Sequence, residues 1–225
     1  MIQRARRDTP FQRSSVKPQA RGLTLDRRHP LSVGLKRAYL LNTRLAEPSL
    51  AGVDEVAFTI VGTPTRVARG VLFDQASSLD LLGALPLPNP PVTFTLAVVL
   101  RAGGIWGSSV QNTNIFGCSS YTEGQNSTVA MICVSDVTST KLRYIERNWA
   151  SDVSSTYSVV DYNDGQRHVV VAARAANNSR VLYQDGVQVG SNTALVDYSG
   201  SGLNCISIGS WRRNAGTTAP CRGLI

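Results

Sequence analysis

The chain has 225 residues, 42% of them hydrophobic, with 23 Lys and Arg against 15 Asp and Glu and a net charge of +8. That length holds one large β domain or two small ones, and the longest apolar runs, residues 94–100 and 169–173, are strand-sized, far short of the roughly 18 residues of a membrane-spanning helix. The charge is local: residues 1–44 carry eleven Lys and Arg against Asp8 and Asp26, whereas the rest carries 12 basic and 13 acidic side chains, so basicity describes an arm and not the domain behind it.

In chain order, residues 1–30 are polar and broken by Pro10, Pro18 and Pro30, with Phe11 the lone aromatic. So little apolar surface does not offset the entropy of ordering, and an extended arm that orders on contact is expected. Its cations Arg4, Arg6, Arg7, Arg13, Lys17, Arg21, Arg27 and Arg28 are the candidate docking residues for an acidic protein surface. Nucleic acid is the weaker partner, because no aromatics are interleaved for base stacking and the attached domain has no net basic charge. The opening MIQRARRDTP contains no apolar stretch of a secretory signal, so synthesis in the cytoplasm is expected.

Residues 34–41 (GLKRAYLL) read as the first strand. Residues 57–61 alternate weakly and end at Gly62-Thr63-Pro64; residues 70–74 and 78–81 form a pair. Pro86, Pro88, Pro90 and Pro91 make a stiff connector to a strand at 94–100, followed by a Gly/Ser/Asn loop around Trp106. Residues 115–117, 129–134 and 141–145 read as three more strands, and 152–160 is a polar stretch holding Tyr157 and Val159. An apolar run follows at 168–173, and 180–184 alternates. Asp185-Gly186 is a two-residue hairpin signal, because both residues tolerate the positive φ of a type I′ turn. Residues 187–189 return, and 206–208 is a further strand stopped by Gly209-Ser210. No window keeps a helical period over about twelve residues, and there is no internal repeat.

Cys118, Cys133, Cys205 and Cys221 form no C-x-x-C, and His29 and His168 are the only histidines, so no zinc spacing exists. Cys118–Cys133 and Cys205–Cys221 would face each other if their segments are neighbouring antiparallel strands; free buried thiols are the favoured expectation.

The order DG-x-x-H (Asp164 to His168) with an apolar strand, a polar turn, LY-x-DG-x-x-V-GS from Leu182, I-x-IGS from Ile206 and a final G-x-I at Gly223 resembles the laminin G-like, or concanavalin A-like, domain. GLKRAYLLN is similar to that family's opening phrase. GVLFD with SLDL is similar to its next block, with Gln75 in place of Gly and Leu79 in place of Tyr. FTLAVVL is similar to its central F-T-x-x-x-W-V strand, with Val98 or Val99 where Trp is usual. The resemblance covers residues 34–225. It implies an all-β, two-sheet antiparallel jelly-roll sandwich over residues 31–225, preceded by the extended arm of residues 1–30. In the family the closing G-x-I runs on into a strand paired with the opening one. An open edge near residues 35–41 is therefore expected, completed by a neighbouring copy in a homo-oligomer.

The glucanase branch of this superfold needs two carboxylates on one strand face, as E-x-D-x-x-E. Glu47, Glu55, Glu123 and Glu146 are the only Glu, and none is in that pattern. Asp54-Glu55 is an adjacent pair, which in a strand points to opposite faces. No G-x-S-x-G occurs. The chain is expected to be non-enzymatic, with every Glu dispensable and His168 a packed, hydrogen-bonded residue. Laminin G-like domains often bind calcium at a rim of loops, and Asp136, Asp152, Asp161, Asn163 and Asp164 offer oxygens. Their spacing is not diagnostic, so turn chemistry is the expected role, with no metal or cofactor.

Trp106, Trp149 and Trp211 all fall in turn-like contexts, and Arg212, Arg213 and Asn214 stand beside Trp211. These six are the candidate glycan-binding residues; the competing role for each Trp is capping the core. The layout of a basic arm before a lectin-like domain resembles structural proteins of tailed bacteriophages. The expectation is a non-enzymatic virion module, a head decoration or a tail or fibre component. Its arm docks on capsid or tail subunits and its sandwich adheres to cell-surface glycan. A carbohydrate-binding adhesin is the alternative, and a nucleic-acid-associated protein is the weaker one; no membrane partner is expected.

Overall fold

The structure, a computed structural model, describes residues 58–67, 70–74, 78–82, 93–101, 113–120, 129–134, 141–148, 153–161, 164–196, 203–213, 216–218 and 222–224. Its strands are β1 Thr59–Val61, β2 Thr65–Val67, β3 Gly70–Asp74, β4 Ser78–Leu82, β5 Phe94–Arg101, β6 Thr113–Ser119, β7 Val129–Val134 and β8 Lys141–Arg147, followed by β9 Val153–Asp161, β10 Arg167–Arg174, β11 Arg180–Gln184, β12 Val187–Asn192, β13 Cys205–Ile208, β14 Trp211–Arg213, β15 Gly216–Thr218 and β16 Arg222–Leu224. No helix occurs among the described residues.

Two seven-stranded antiparallel sheets face each other. The first runs β1-β4-β13-β6-β7-β8-β9 and the second β12-β11-β10-β5-β16-β3-β2; β14 and β15 form a separate hairpin. This is the jelly-roll sandwich that the sequence implies. The two-residue period of a strand explains the layering. Along β10 the buried side chains are His168, Val170, Ala172 and Arg174, and the intervening ones turn outward. β11 keeps that phase, burying Arg180, Leu182 and Gln184. Val71, Phe73, Leu96, Leu100, Val170 and Leu182 of the second sheet meet Leu79, Ile115, Ile132, Tyr144, Ile206 and Ile208 of the first. β12 is tied back to β9 where the Asn192 side-chain amide donates to the Ser155 carbonyl at 2.7 Å.

The Asp185-Gly186 turn has the conformation expected of it, with φ of 53° and 83°. The structure adds strands that sequence reading missed: β2, β9 in the polar stretch of residues 152–160, and the β14–β15 hairpin, which places Trp211 on a strand and not in a turn. The closing segment is a strand inside the second sheet. β16 pairs with β3 through three residues and with β5 at Leu224↔Arg101. The arm and residues 34–41 lie outside the described residues, as does the open edge expected there.

The cysteine pairing expected of neighbouring strands does not occur. β6 and β7 are neighbours, but Cys118 stands opposite Ala130 and Cys133 opposite Asn114. Cys118, Cys133 and Cys205 are free and buried, as favoured; Cys221 lies outside the described residues. Burial pushes the Cys118 and Cys133 thiols up to about 12, which leaves them unreactive.

Gly209 links the sheets at close quarters. Its φ is +86°, and a Cβ there would lie 2.3 Å from the Phe73 ring. Gly186, at φ +83°, has nothing within 4 Å of the same position. Gly209→Ala is therefore expected to cost on the order of 2–4 kcal/mol, from strain plus overpacking. Gly186→Ala carries the backbone penalty alone, about 1 kcal/mol. Urea unfolding of the two variants checks this ordering.

Candidate functional site

The candidate glycan residues meet the structure only in part. Trp106, Trp149 and Asn214 lie outside the described residues. Trp211, Arg212 and Arg213 make up β14, paired with Thr218, Thr217 and Gly216. That hairpin packs against β6 and β13 of the first sheet. Of the candidate calcium ligands, Asp136, Asp152 and Asn163 lie outside the described residues and Asp161 ends β9. Asp164 is engaged in a turn: its Oδ1 accepts from the Gln166 N–H at 2.7 Å. Among the described residues no group of three His, Cys, Asp or Glu is placed to hold a metal ion.

The chemistry that is visible lies at the two ends of the β10–β11 strip. At one end stands His168. Its Nδ1 is 2.7 Å from Asp185 Oδ2 and its Nε2 is 2.9 Å from Asp164 Oδ1. Asp185 also accepts the Val169 N–H at 2.8 Å. The Arg101 Nε–H donates to the Gly165 carbonyl at 2.7 Å, so β5 joins the same clasp. One buried imidazole thus pins the 164–166 turn to the β11–β12 turn, which explains why the two DG phrases and the His occur together.

This geometry also decides what the residues can do. Both ring nitrogens face carboxylates, a setting that favours the imidazolium and leaves the ring little basicity to spare. Burial works against its charge, but the hydrogen bonds and charges of Asp185 and Asp164 outweigh burial and hold His168 above its ordinary 6.5. The Gln166 N–H and then His168 hold Asp164 below 3.8. His168 and then the Val169 N–H do the same for Asp185. A glycosidase acid must stay protonated near neutrality. Asp164 and Asp185 are both held away from that state.

At the other end sits Glu146 of β8, fully buried. Its Oε2 accepts from Arg174 Nη1 at 2.8 Å and from Arg180 Nε at 2.5 Å, and its Oε1 accepts from the Tyr144 hydroxyl. Arg174 donates on to Asn178 Oδ1 at 2.6 Å and to the Val196 carbonyl at 3.3 Å. Arg180 donates to the carbonyls of Asn178 and Ala194. The cluster spans both sheets and fastens the strap of residues 193–196 beneath the sandwich. It corrects the expectation that every Glu is dispensable: Glu146 is a structural centre. Sequence reading missed it, although a signal existed. Arg174 and Arg180 fall in the inward phase of their strands, where only paired charges are tolerated.

Two outcomes follow. Glu146→Gln leaves two buried guanidinium groups short of their counter-charge and is expected to cost about 3–5 kcal/mol, read by chemical denaturation. The clasp sets a pH dependence. The His168 contribution, with a raised folded pKa, is complete below pH 6.5 and is lost as pH rises through the folded value. The two Asp contributions, with lowered folded values, are complete above pH 3.8 and are lost as pH falls through them. The stability gap between wild type and His168→Gln should therefore be widest in that window and narrow on the alkaline side. A gap that stays constant into alkaline pH would contradict the charged clasp.

No family model matches the chain, and no curated protein matches it in sequence. Solved structures do. Domain 4 of AbnA, an extracellular arabinanase of Geobacillus stearothermophilus solved with arabinotriose, aligns over 75% of this chain and 79% of its own at 15% identity and a TM-score of 0.52. Laminin G-like domains 4–5 of the mouse laminin α1 chain align over 74% and 42% at 13% identity and a TM-score of 0.50. A tailspike domain of bacteriophage CBA120 aligns over 74% and 27% at 18% identity and a TM-score of 0.48. The fold is that of the concanavalin A-like, laminin G-like jelly rolls.

Proposed function

We propose that the sandwich is a non-enzymatic glycan-recognition module serving a virion structural protein. The observation that carries the binding part is the shared architecture with the arabinotriose-bound domain, over three quarters of both chains. The chemistry of the described residues agrees with it. His168 is committed to two carboxylates, and those carboxylates have no proton to give at neutral pH. The β14–β15 hairpin carries Trp211 with Arg212 and Arg213 on a short ribbon beside the first sheet. The residue types, one aromatic and two cations, suit a sugar ring and its hydroxyls. Trp106, Trp149 and Asn214 complete the proposed contact set. The virion setting rests on the sequence layout, with the basic arm as the docking segment on capsid or tail subunits.

A glycan array with the intact chain tests the reading, followed by calorimetry on the best ligand. Trp211→Ala is expected to weaken binding about tenfold or more while leaving thermal unfolding unchanged. A folded protein that binds no glycan on the array overturns the glycan part. Release of reducing sugar that depends on any Asp or Glu overturns the non-enzymatic part.

A further inference from the structure

A sheet with one face in solvent alternates apolar inward and polar outward. The second sheet does not. The outward positions of β5 and β10 are filled by Val99, Ala97 and Thr95, and by Val169, Val171 and Ala173. The register joins them in rows: Val99 lies opposite Val169, Ala97 opposite Val171, and Thr95 opposite Ala173. Tyr183 and Val181 of β11 extend the last two rows. Val99 and Val169 are 48% and 44% exposed. The charges beside these rows among the described residues are Arg101 and Arg167, which oppose each other at one end, and Asp185, which exchanges hydrogen bonds with the Val169 backbone. A contiguous apolar face of this kind marks an interaction surface.

We infer that this face of the second sheet is where a second copy of the chain packs, sheet against sheet. The charges select the occupant. The basic arm would meet the Arg101–Arg167 row with like charge. A glycan needs planar polar groups, and these rows offer aliphatic side chains with Tyr183 alone at the side. A second copy matches the surface in kind. A two-fold axis parallel to the strands would stack the arginine rows on each other. An axis across the strands instead lays each arginine row over the uncharged Thr95–Ala173 row of the other copy. It also lays the Val99–Val169 row over the smaller Ala97–Val171 row, so bulk meets space. Repulsion between like charges thus fixes the orientation.

The area is adequate. From β12 to β3 the strands are 6, 5, 8, 8, 3 and 5 residues long, and at about 4.8 Å spacing and roughly 3.3 Å per residue they make a face on the order of 550 Å². Two such faces bury about 1,100 Å², just under the range of standard specific complexes, which places the dimer in the weak, reversible class. Aligned sheet packing about 10 Å apart is the ordinary way two β faces meet.

Sedimentation velocity on the intact chain over a wide concentration range tests the inference. A reversible monomer–dimer equilibrium is expected. Val99→Lys with Val169→Lys should weaken it about a hundredfold or more, because each dimer would bury unpaired charge. The near-isosteric pair Val99→Thr with Val169→Thr, which keeps strand propensity, should weaken it about tenfold with unchanged thermal unfolding of the monomer. A monomer at every concentration overturns the inference. A dimer that neither pair disturbs overturns it as well, as does a monomer that instead sediments with anionic phosphatidylserine vesicles through this face. None of these outcomes depends on glycan binding.

Discussion

The sandwich hangs on one buried carboxylate. Glu146 lies on the core-facing row of the first sheet, in register with Ala130 and Cys118. Its two guanidinium partners come from β10 and β11 of the second sheet. Hydrophobic burial holds the sheets together without regard to direction. An ion cluster with fixed hydrogen-bond geometry does not share that tolerance, so it sets which residues of the two sheets meet. The carbonyls of Asn178, Ala194 and Val196 accept further N–H groups of the two guanidiniums, and this draws the turn before β11 and the strap after β12 into the same cluster. Desolvation makes such a cluster a poor source of net stability but a costly one to break.

The inward strip of β10 and β11 has a polar end, an apolar middle and a second polar end. Val170, Ala172 and Leu182 form the middle. His168 closes the rim at which the turns gather, and Arg174 with Arg180 closes the opposite rim. The two ends differ in exposure. The carboxylates bound to His168 are about half exposed, whereas Glu146 is sealed. Water screens the first and not the second. The clasp therefore responds to pH at a rim that solvent reaches.

Much of this was legible in the sequence, and the reasons are local. Alternation in residues 180–184, the Asp-Gly turn and the apolar run after His168 are short-range signals, and the structure reproduces each of them. His168 was readable as a hydrogen-bonded residue because it opens a core strand. Its partners were not, since Asp164 and Asp185 each look like ordinary turn formers. The β14–β15 hairpin was missed because Trp-Arg-Arg and Gly-Thr-Thr show no apolar alternation. The Glu146 cluster was missed for a different reason: its members are 28 and 34 residues apart in sequence. Only the register of two sheets brings them together. For the cysteines the favoured expectation of buried thiols holds, and register excludes the alternative, since Cys118 stands opposite Ala130 and Cys133 opposite Asn114.

The two faces of the second sheet bear on where a ligand can sit. Its inner face is committed to the core, and its outer face is aliphatic where a sugar would need hydrogen bonds. A copy packed there would remove that face from solvent altogether. On the proposed reading, recognition falls to the hairpin that packs against β6 and β13 of the first sheet. A two-fold pair would carry two such hairpins, one from each copy. Weak single-site binding, usual for exposed sugar sites, would be multiplied by the second site when both reach one surface. An apolar back and a Trp-bearing ribbon on the opposite sheet are consistent with a single arrangement, in which the back sets valency and the front sets specificity.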